Sequence, residues 1–542
     1  MFTKNLIFLK IYLIAFTLIF AVCESYSKDI KVGKIFLEKR DVFEKNDSDW
    51  FFAAPLLNKL HATTKDFIIK DEMLFTEGDF IDEDYLLETE RNLRRTNLFT
   101  YAQIQLDSVG DNLYDAYIIT KDRWSFYPSL LFGTGGGVTN YGARLQEFNL
   151  LGTGTALTVE ALNRGENNIG WQGIGIIEKQ RLFRSELTFY GSITANQYKT
   201  SQNIQLVKPY RTLDTEFSYG ITGLNTFGRD FVFEGNDVYS LVHVNEQVAQ
   251  TFFSRAWRRK DRIFATGMVE YHQVERPSEL TRQVFDNSGK ILLMFSSVSQ
   301  DFYISEKVNY YHLEDMVVGG YGSATLGKIF SIGSKGESRY YVGAQGEASF
   351  YNGKSYLFGQ VTGASAFSRS IATYTYQEFL GTGFTKLADG LVLTARIRQQ
   401  TAWNWSAFRQ LILDNDIGLR GYPANRFIGE NRIISNLEMR YFPDIPVWIV
   451  NLSGVAFWDI GTAWNQDQKL QETRFYNSAG LGLRVHFNKS SSPSHTLRVD
   501  FAYNFADGKF GGIILSTKQL FSAFGNHEFK LPQIFGSGID LE

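Results

Sequence analysis

Residues 413–432 read LDNDIGLRGYPANRFIGENR, and the place of this stretch in the chain gives the strongest indication of the fold. Arg420 stands between Gly418 and Gly421, where glycine permits backbone angles that other residues rarely adopt. Segments of alternating apolar and polar residues follow it to the end of the chain. Five strands can be read there, at 430–442, 450–464, 476–487, 495–505 and 511–521. The arginine therefore lies in a constrained loop that precedes the last five strands of an antiparallel sheet.

The alternation is clearest in HTLRVDFAYNF, residues 495–505. Leu497 and Phe501 fall on one face of the predicted strand, and Arg498 and Asp500 fall on the other. NSAGLGLRVHF repeats the pattern upstream. A soluble sandwich would turn the apolar face inward, whereas a membrane barrel would turn it toward lipid. Alternation alone does not distinguish these two folds.

Three observations favour the barrel. The chain begins with a segment typical of export. Aromatic residues recur near predicted strand ends, where interfacial girdles are expected: Tyr441, Phe442, Trp464, Phe505 and Phe521. The remaining 400 or so residues can be read as one series of hairpins, and closure alone removes the edges of so long a sheet. We therefore expect an all-β transmembrane barrel over 123–524, with long extracellular loops in the irregular region from about 200 to 310.

The N-terminus predicts a secretory signal peptide over residues 1–27. Two lysines precede the apolar run Ile11–Val22, and cleavage after Cys23 or Ser27 fits the small residues there. A single membrane anchor and a poorly matching lipobox at Cys23 are the alternatives. Because the chain has one cysteine, no internal disulfide is possible. The net charge of -3, without a basic run, gives no indication of a nucleic-acid partner.

Residues 28–122 predict a small α+β domain. IKVGKIFLEK reads as a strand, PLLNKLHATT as a short helix, and the residues after Asp82 as a second helix with acids first and arginines last. YAQIQL and the residues after the SVGDN turn then form a hairpin. We expect its edge strand to capture a client polypeptide by strand addition. The residues assigned to this edge are Thr100, Ala102, Ile104 and Leu106.

The order strand, helix, helix, strand, strand resembles a POTRA domain, the periplasmic module of BamA/FhaC/TamA-type outer-membrane transporters. LNKLHATT, LFTEGD and ERNLRRTNLF carry this resemblance, and NYGARLQEFNLLGTG is similar to the first barrel strands of the same superfamily. The resemblance implies an outer-membrane barrel of 16 antiparallel strands with one POTRA domain in the periplasm of a Gram-negative-type bacterium. This chain has room for a single POTRA domain, whereas assembly factors usually carry several and two-partner secretion pores two.

GLRGYP is the most specific part of the resemblance. In that superfamily a [V/L]RG[F/Y] motif in the sixth extracellular loop folds into the lumen and sets its arginine against acidic wall residues. Here the motif falls on Leu419, Arg420, Gly421 and Tyr422. Five strands follow the loop in the superfamily, as they do in this reading.

The wall residues can be located from the strand pattern. Glu438 lies on the polar face of IISNLEMRYF, so it should point into the lumen. GVAFWDIGTAW matches the F-x-D-x-G signature of the superfamily at Phe457, Asp459 and Gly461. A guanidinium that loses its hydration needs carboxylates in return, and its planar fork can bind two. We expect Arg420 to pair with Asp459, Glu438 or both, which would latch the loop inside the barrel.

Three classes of function were weighed. The first is insertion or translocation of polypeptide or lipid clients, with the lipid bilayer, an unfolded polypeptide and periplasmic accessory proteins as partners. The second is a passive pore or structural surface antigen of the same architecture. An outer-membrane hydrolase is disfavoured because the 7 histidines are scattered, G-x-S-x-G is absent, and His61 has no partner at a catalytic spacing. No enzyme activity, cofactor or metal is expected. Residues 525–542 are either a periplasmic extension or a strand-end plug.

Overall fold

The computed structural model describes 30–42, 62–110, 112–135, 138–165, 168–234, 237–258, 261–275, 285–311, 314–333, 337–404, 411–424, 426–443, 446–447, 450–487, 496–516 and 519–537. These residues form two compact units. One contains the described residues of the first 44 together with Asp66–Asp122, and the other contains 62–65 and the chain from Arg123. The predicted signal peptide, His61 and most of the predicted helix in PLLNKLHATT lie outside the described residues.

The smaller unit is a four-stranded sheet with two helices. Its elements are β1 (Ile30–Arg40), α1 (Asp66–Glu72), β2 (Phe80–Ile81), α2 (Glu83–Arg95), β3 (Phe99–Gly110) and β4 (Leu113–Asp122). The strand order is β2-β1-β4-β3, with β1 parallel to β4 and the other pairs antiparallel. Asp82 caps α2 by accepting a hydrogen bond from the Tyr85 amide at 3.2 Å. Ile69 and Leu93 from the helices and Ile118 from β4 form the buried core.

The larger unit is a closed antiparallel barrel of 20 spanning strands. They are β5 (Phe126–Gly135), β6 (Val138–Glu147), β7 (Thr155–Arg164), β8 (Gly170–Lys179), β9 (Thr188–Ala195), β10 (Lys199–Lys208), β11 (Phe217–Glu234), β12 (Asp237–Trp257), β13 (Arg262–Glu275), β14 (Ser288–Ser305), β15 (Glu314–Ser331), β16 (Arg339–Tyr351), β17 (Ser355–Ser368), β18 (Ile371–Ala388), β19 (Leu391–Trp403), β22 (Asn431–Tyr441), β24 (Val450–Trp464), β25 (Tyr476–Phe487), β26 (Thr496–Asn504) and β27 (Lys509–Ser516). The short β20 (Leu411–Leu413) and β21 (Phe427–Gly429) pair with each other, and β23 (Pro446–Val447) pairs with the start of β24.

The expected count of 16 strands is wrong. Five strands follow the LRGY loop, close to the positions read from the sequence, so the additional strands precede it. The region from 200 to 310, expected to hold long loops, instead contains most of the five strands β10–β14. β11 and β12 are 18 and 21 residues long, about twice what a tilted strand needs to cross a bilayer. These hairpins therefore extend beyond the hydrocarbon layer as paired strands.

The burial of β26 distinguishes the membrane barrel from a soluble sandwich. Leu497, Phe501 and Tyr503 are 38%, 46% and 43% exposed, whereas Arg498 and Asp500 are 5% and 0% exposed. A soluble protein would bury the first three and expose the charges. The apolar face points outward, as lipid requires, and the charged face points into the lumen. No described helix is both long enough and apolar enough to cross a bilayer.

Two of the aromatic residues assigned to an interfacial girdle are buried. Tyr441 and Phe505 are about half exposed, but Phe442 and Phe521 are 2% and 7% exposed. Phe442 follows the end of β22 and packs against Tyr311 at 5.2 Å between ring centroids. Phe521 was read as the end of the last strand, but β27 ends at Ser516 and the chain beyond it turns inward.

Candidate functional site

The loop between β19 and β22 folds into the barrel and buries its LRGY motif. Leu419, Arg420 and Tyr422 are at most 1% exposed. Gly418 and Gly421 have φ angles of 125° and 83°, which lie in the region that favours glycine. A Cβ on Gly421 would lie 2.9 Å from the Cβ of Ala502, so the loop backbone approaches β26 more closely than a side chain would allow.

The turn before Arg420 is held by its own backbone and by the wall. Asp414 O accepts hydrogen bonds from the Gly418 and Leu419 amides at 3.2 and 2.8 Å. Asn436 Nδ2 on β22 donates to Gly418 O at 2.7 Å. These bonds fix the backbone immediately before the arginine, so they help to direct its guanidinium at the wall.

The guanidinium of Arg420 binds three carboxylates from three strands. Nε and Nη2 donate to both oxygens of Asp459 on β24, at 2.7 and 2.8 Å. Nη1 donates to Glu438 on β22 at 2.8 Å and to Asp500 on β26 at 3.2 Å. All four side chains are 0% exposed. The structure thus brings Arg420 to both predicted partners at once, and it adds a third.

Each carboxylate has a different set of remaining partners. Glu438 also accepts from Arg440 Nε at 2.9 Å, and Asp500 pairs with Arg484 and lies 3.5 Å from Arg498 Nε. Beyond the guanidinium, Asp459 accepts only from two neutral donors among the contacts of the described residues, the side-chain amide of Asn436 at 2.7 Å and the backbone amide of Arg420 at 3.3 Å. Asp459 therefore depends on Arg420 more than the other two carboxylates do.

Aromatic and apolar contacts complete the site. The Cζ of Arg420 lies 3.6 Å from the ring centroid of Phe457, so the planar guanidinium stacks on the ring. Tyr422 donates to Asn477 O at 2.9 Å, and its ring joins an apolar cluster with Leu419 and Ile434. A Cβ on Gly461 would lie 2.7 Å from Ile433 O, so this glycine serves close strand packing and does not touch the arginine.

Asp500 is the residue that sequence reasoning missed. It lies on the polar face of HTLRVDFAYNF, but local alternation does not reveal which polar residues of distant strands meet. Two glycines on the intervening strand β25 leave room for the meeting. A Cβ on Gly482 would lie 2.2 Å from Asp500 Oδ1, and one on Gly480 would lie 2.5 Å from the Phe457 ring. Glycines facing the lumen beside the F-x-D-x-G strand are the signal that could have indicated it.

The chain beyond β27 enters the barrel instead of extending away from it. Residues 519–537 pack on inward-facing residues of the wall, and His527 is 0% exposed. Arg440 joins this tail to the loop, because its Nη2 donates to Phe521 O at 3.1 Å while its Nε binds Glu438. The final residues, 538–542, lie outside the described residues.

The four residues assigned to client capture lie on β3, which pairs within the described residues only with β4 and so forms one edge of the small sheet. Ala102 is buried in the domain core, Ile104 and Leu106 pack against the same core, and Thr100 is exposed. The side chains of these three apolar residues thus face inward. The edge offers main-chain groups instead, although Glu90 already accepts from the Ile104 amide at 2.8 Å.

The barrel closes at a seam between its first and last strands. Among the described residues, the last strand β27 meets the first strand β5 in one partner pair, Leu515 with Thr134. The other neighbouring pairs of spanning strands have at least seven, as between β26 and β27. Few ladder hydrogen bonds therefore join the described parts of these two strands. No described group of three or more His, Cys, Asp or Glu side chains is arranged to hold a metal ion.

No protein-family model and no curated protein matches this chain. Among solved structures, it is similar to BamA from Haemophilus ducreyi lacking POTRA domains 1–3, at 15% identity and a TM-score of 0.38 over 90% of this chain and 83% of that one. For CdiB from Acinetobacter baumannii the sequence identity is 12% and the TM-score 0.43, over 90% of this chain and 73% of that one. For the FrpB iron transporter from Neisseria meningitidis the sequence identity is 9% and the TM-score 0.40, over 79% of this chain and 85% of that one. Identities and TM-scores this low do not assign an activity.

Proposed function

We propose that this chain is an outer-membrane barrel of the BamA/FhaC/TamA type that inserts polypeptide clients into the membrane or translocates them across it. The observation that carries the proposal is the fully buried Arg420, bound to Asp459, Glu438 and Asp500. A buried arginine with three carboxylates is costly to assemble and contributes little net stability by itself. The cluster instead holds the loop in one defined position, from which the loop can be released.

The seam supports insertion of clients. A strand that lacks its neighbour within a bilayer exposes main-chain N–H and C=O groups that cannot form hydrogen bonds with lipid. Leaving one such group unpaired costs on the order of several kcal/mol. In the part of the chain that the structure describes, β5 and β27 meet in one partner pair, so an incoming strand would replace few existing bonds and gain many. Gly511 on β27 also contacts the latch, since a Cβ on it would lie 2.5 Å from Gly421 O. The loop is therefore placed to respond when the seam opens.

The small domain supports client capture by strand addition. β3 is an edge strand whose outward side chains include Gln103 and Gln105, both exposed. Main-chain pairing along this edge would accept clients of varied sequence. This unit, with its parallel β1–β4 pair and two helices, is the POTRA domain of the proposal, and we place it in the periplasm.

Photocrosslinking tests the proposal in cells that produce this protein. A photoreactive amino acid at Gln103 or Gln105 should capture polypeptides, which mass spectrometry then identifies. The same probe at Lys70, exposed on α1, is the matched control. Crosslinks from the β3 positions that do not exceed those from Lys70, together with a stable open pore in planar bilayers, would favour the alternative of a passive pore.

A further inference from the structure

The inner wall of the barrel carries a track of polar side chains that binds main-chain groups of the C-terminal tail. Carbonyl oxygens of the tail accept hydrogen bonds from wall or turn side chains at five positions, Phe521, Ser522, His527, Gln533 and Phe535. The donors are Arg440, Thr382, Gln300, Tyr341 and Tyr374. Two tail amides are bound as well, that of Ala523 by Asn309 and that of Phe535 by Tyr341.

The tail follows the track in an extended conformation. Ala523 shares an apolar cluster with Met316, near the start of β15, and Phe535 shares one with Ile329, near its end. The 13 steps along β15 correspond to about 44 Å. The 12 steps along the tail reach about 40 to 43 Å when fully extended, so the tail joins the two clusters only if it is nearly straight. No described tail residue is in a strand, so side chains of the wall hold the tail and no β-ladder does.

The centre of the track is acidic, and its ends are apolar. Glu347 on β16 is 6% exposed, and both ion-pair partners that the described residues give it come from the tail, His527 at 3.2 Å and Lys530. At one end Ala523 packs among apolar wall residues, and at the other Ile534 and Phe535 do. When the tail leaves, Glu347 is a lumenal carboxylate that needs a new cation.

We infer that this track is a binding site for an extended polypeptide with a basic residue near its middle, and that the tail is its resident occupant. Recognition through carbonyl groups tolerates varied side chains, while Glu347 and the apolar ends select the pattern. A client segment would displace the tail. This inference rests on the proposed function, since it assigns to the barrel lumen a part of the client's path.

Displacement of the tail would also reach the latch. Arg440 bonds to Phe521 O and to Glu438, and Glu438 bonds to Arg420. A client that removes the tail leaves one donor of Arg440 without its acceptor. Arg440 is therefore one link between the two inward-folded elements, and Arg396 is another, because it lies 5.3 Å from the Phe521 ring centroid and donates to Ile417 O in the loop. Client binding on the track would weaken the hold on the loop.

Peptide binding to purified, folded protein tests the inference. The probe is a fluorescent synthetic peptide of residues 519–537, and a second probe carries the Lys530→Glu change. A chain that ends after Ser516 should bind the first probe at least about tenfold more tightly than the full-length protein does, because no tail competes. It should bind the second probe at least about tenfold more weakly than the first, because Glu347 repels it. A folded, tail-less barrel that binds neither probe would overturn the inference.

Two wall tyrosines supply a matched comparison. Tyr341→Phe with Tyr374→Phe removes three hydrogen bonds to the tail and should weaken binding of the first probe at least about tenfold. Tyr340→Phe alters a neighbour that is 65% exposed on the lipid face, so it should leave binding unchanged. Equal affinities of both variants for the probe would show that the track does not bind the peptide.

A disulfide lock covers the case in which the tail-less chain does not fold. A Cβ on Gly525 would lie 2.5 Å from Phe358 Cγ, so Gly525→Cys with Phe358→Cys in a Cys23→Ser background should join tail to wall. Only the reduced form should bind the peptide, and equal binding in both forms refutes displacement. Failure to crosslink a client from Gln103 and Gln105 would instead refute the proposed function. That outcome would not change the affinity of the barrel for the peptide, so the two failures can be told apart.

Discussion

Replacement of Arg420 by alanine should destabilise the barrel by about 3 to 5 kcal/mol, the usual cost of removing one partner of a buried ion pair. The size of this loss of stability depends on the partners that the three carboxylates keep after the substitution. Glu438 keeps Arg440, and Asp500 keeps Arg484, but Asp459 keeps no cation among the contacts of the described residues, only the side-chain amide of Asn436 and the backbone amide of residue 420. Most of the cost should therefore arise from one stranded carboxylate at a site with no exposure to solvent.

That reasoning makes the Arg420 and Asp459 substitutions strongly non-additive. Arg420→Ala with Asp459→Ala should lose at least about 1 kcal/mol less than the sum of the single losses, because the second change removes the stranded charge. The assay is urea unfolding in detergent or lipid vesicles, followed by tryptophan fluorescence and by heat-modifiable gel mobility. Arg426→Ala, at an exposed arginine of the same loop, is the control and should cost less than about 0.5 kcal/mol. Strict additivity within error would refute the latch.

Three further predictions concern other parts of the barrel. Gly421→Ala should cost about 1 to 3 kcal/mol in the same unfolding assay, because φ is 83° and the new Cβ meets β26, whereas Gly454→Ala meets nothing within 4 Å and should be near neutral. Leu483→Arg places a charge on a lipid-facing position that is 44% exposed, and should reduce the free energy of folding into vesicles by about 2 to 4 kcal/mol; an unchanged value would contradict the assigned outer face. Thr134→Cys with Leu515→Cys should form a disulfide across the seam, seen as a mobility shift that a reductant reverses, and a folded protein that stays reduced would speak against this register.

The last five strands could be predicted because their faces alternate strictly. Within β26, polar residues fall on every second position over most of the length, and within β24 burial alternates from Ser453 to Gly461, so lipid on one side leaves no other register. In β11 the alternation breaks. Phe217 and Ile221 point outward, but the next two residues on that face are Gly223 and Asn225, which are not apolar side chains. The apolar Leu224 lies on the opposite face. The pattern of that strand therefore does not identify its lipid face, and the strand count was too low.

The partners of Arg420 could be predicted only in part. Glu438 and Asp459 are accessible to sequence reasoning because each lies in a recognisable strand whose polar face is clear. Asp500 is equally polar, but its proximity depends on the stagger of β25 and on the space left by Gly480 and Gly482. The tail is a further case, because its backbone is recognised by side chains far away in sequence, and no local pattern in residues 519–537 indicates this.

The number of strands has a consequence for the space that they enclose. The diameter of a barrel grows about linearly with strand number, so 20 strands instead of 16 give a lumen about a quarter wider, with roughly 1.6 times the cross-sectional area. One loop cannot fill that area. The LRGY loop covers the sector from β19 to β27, and the tail covers much of the sector from β12 to β18. Each occupant obstructs its own part of the conduit, so the barrel should open electrically in two separable conductance steps.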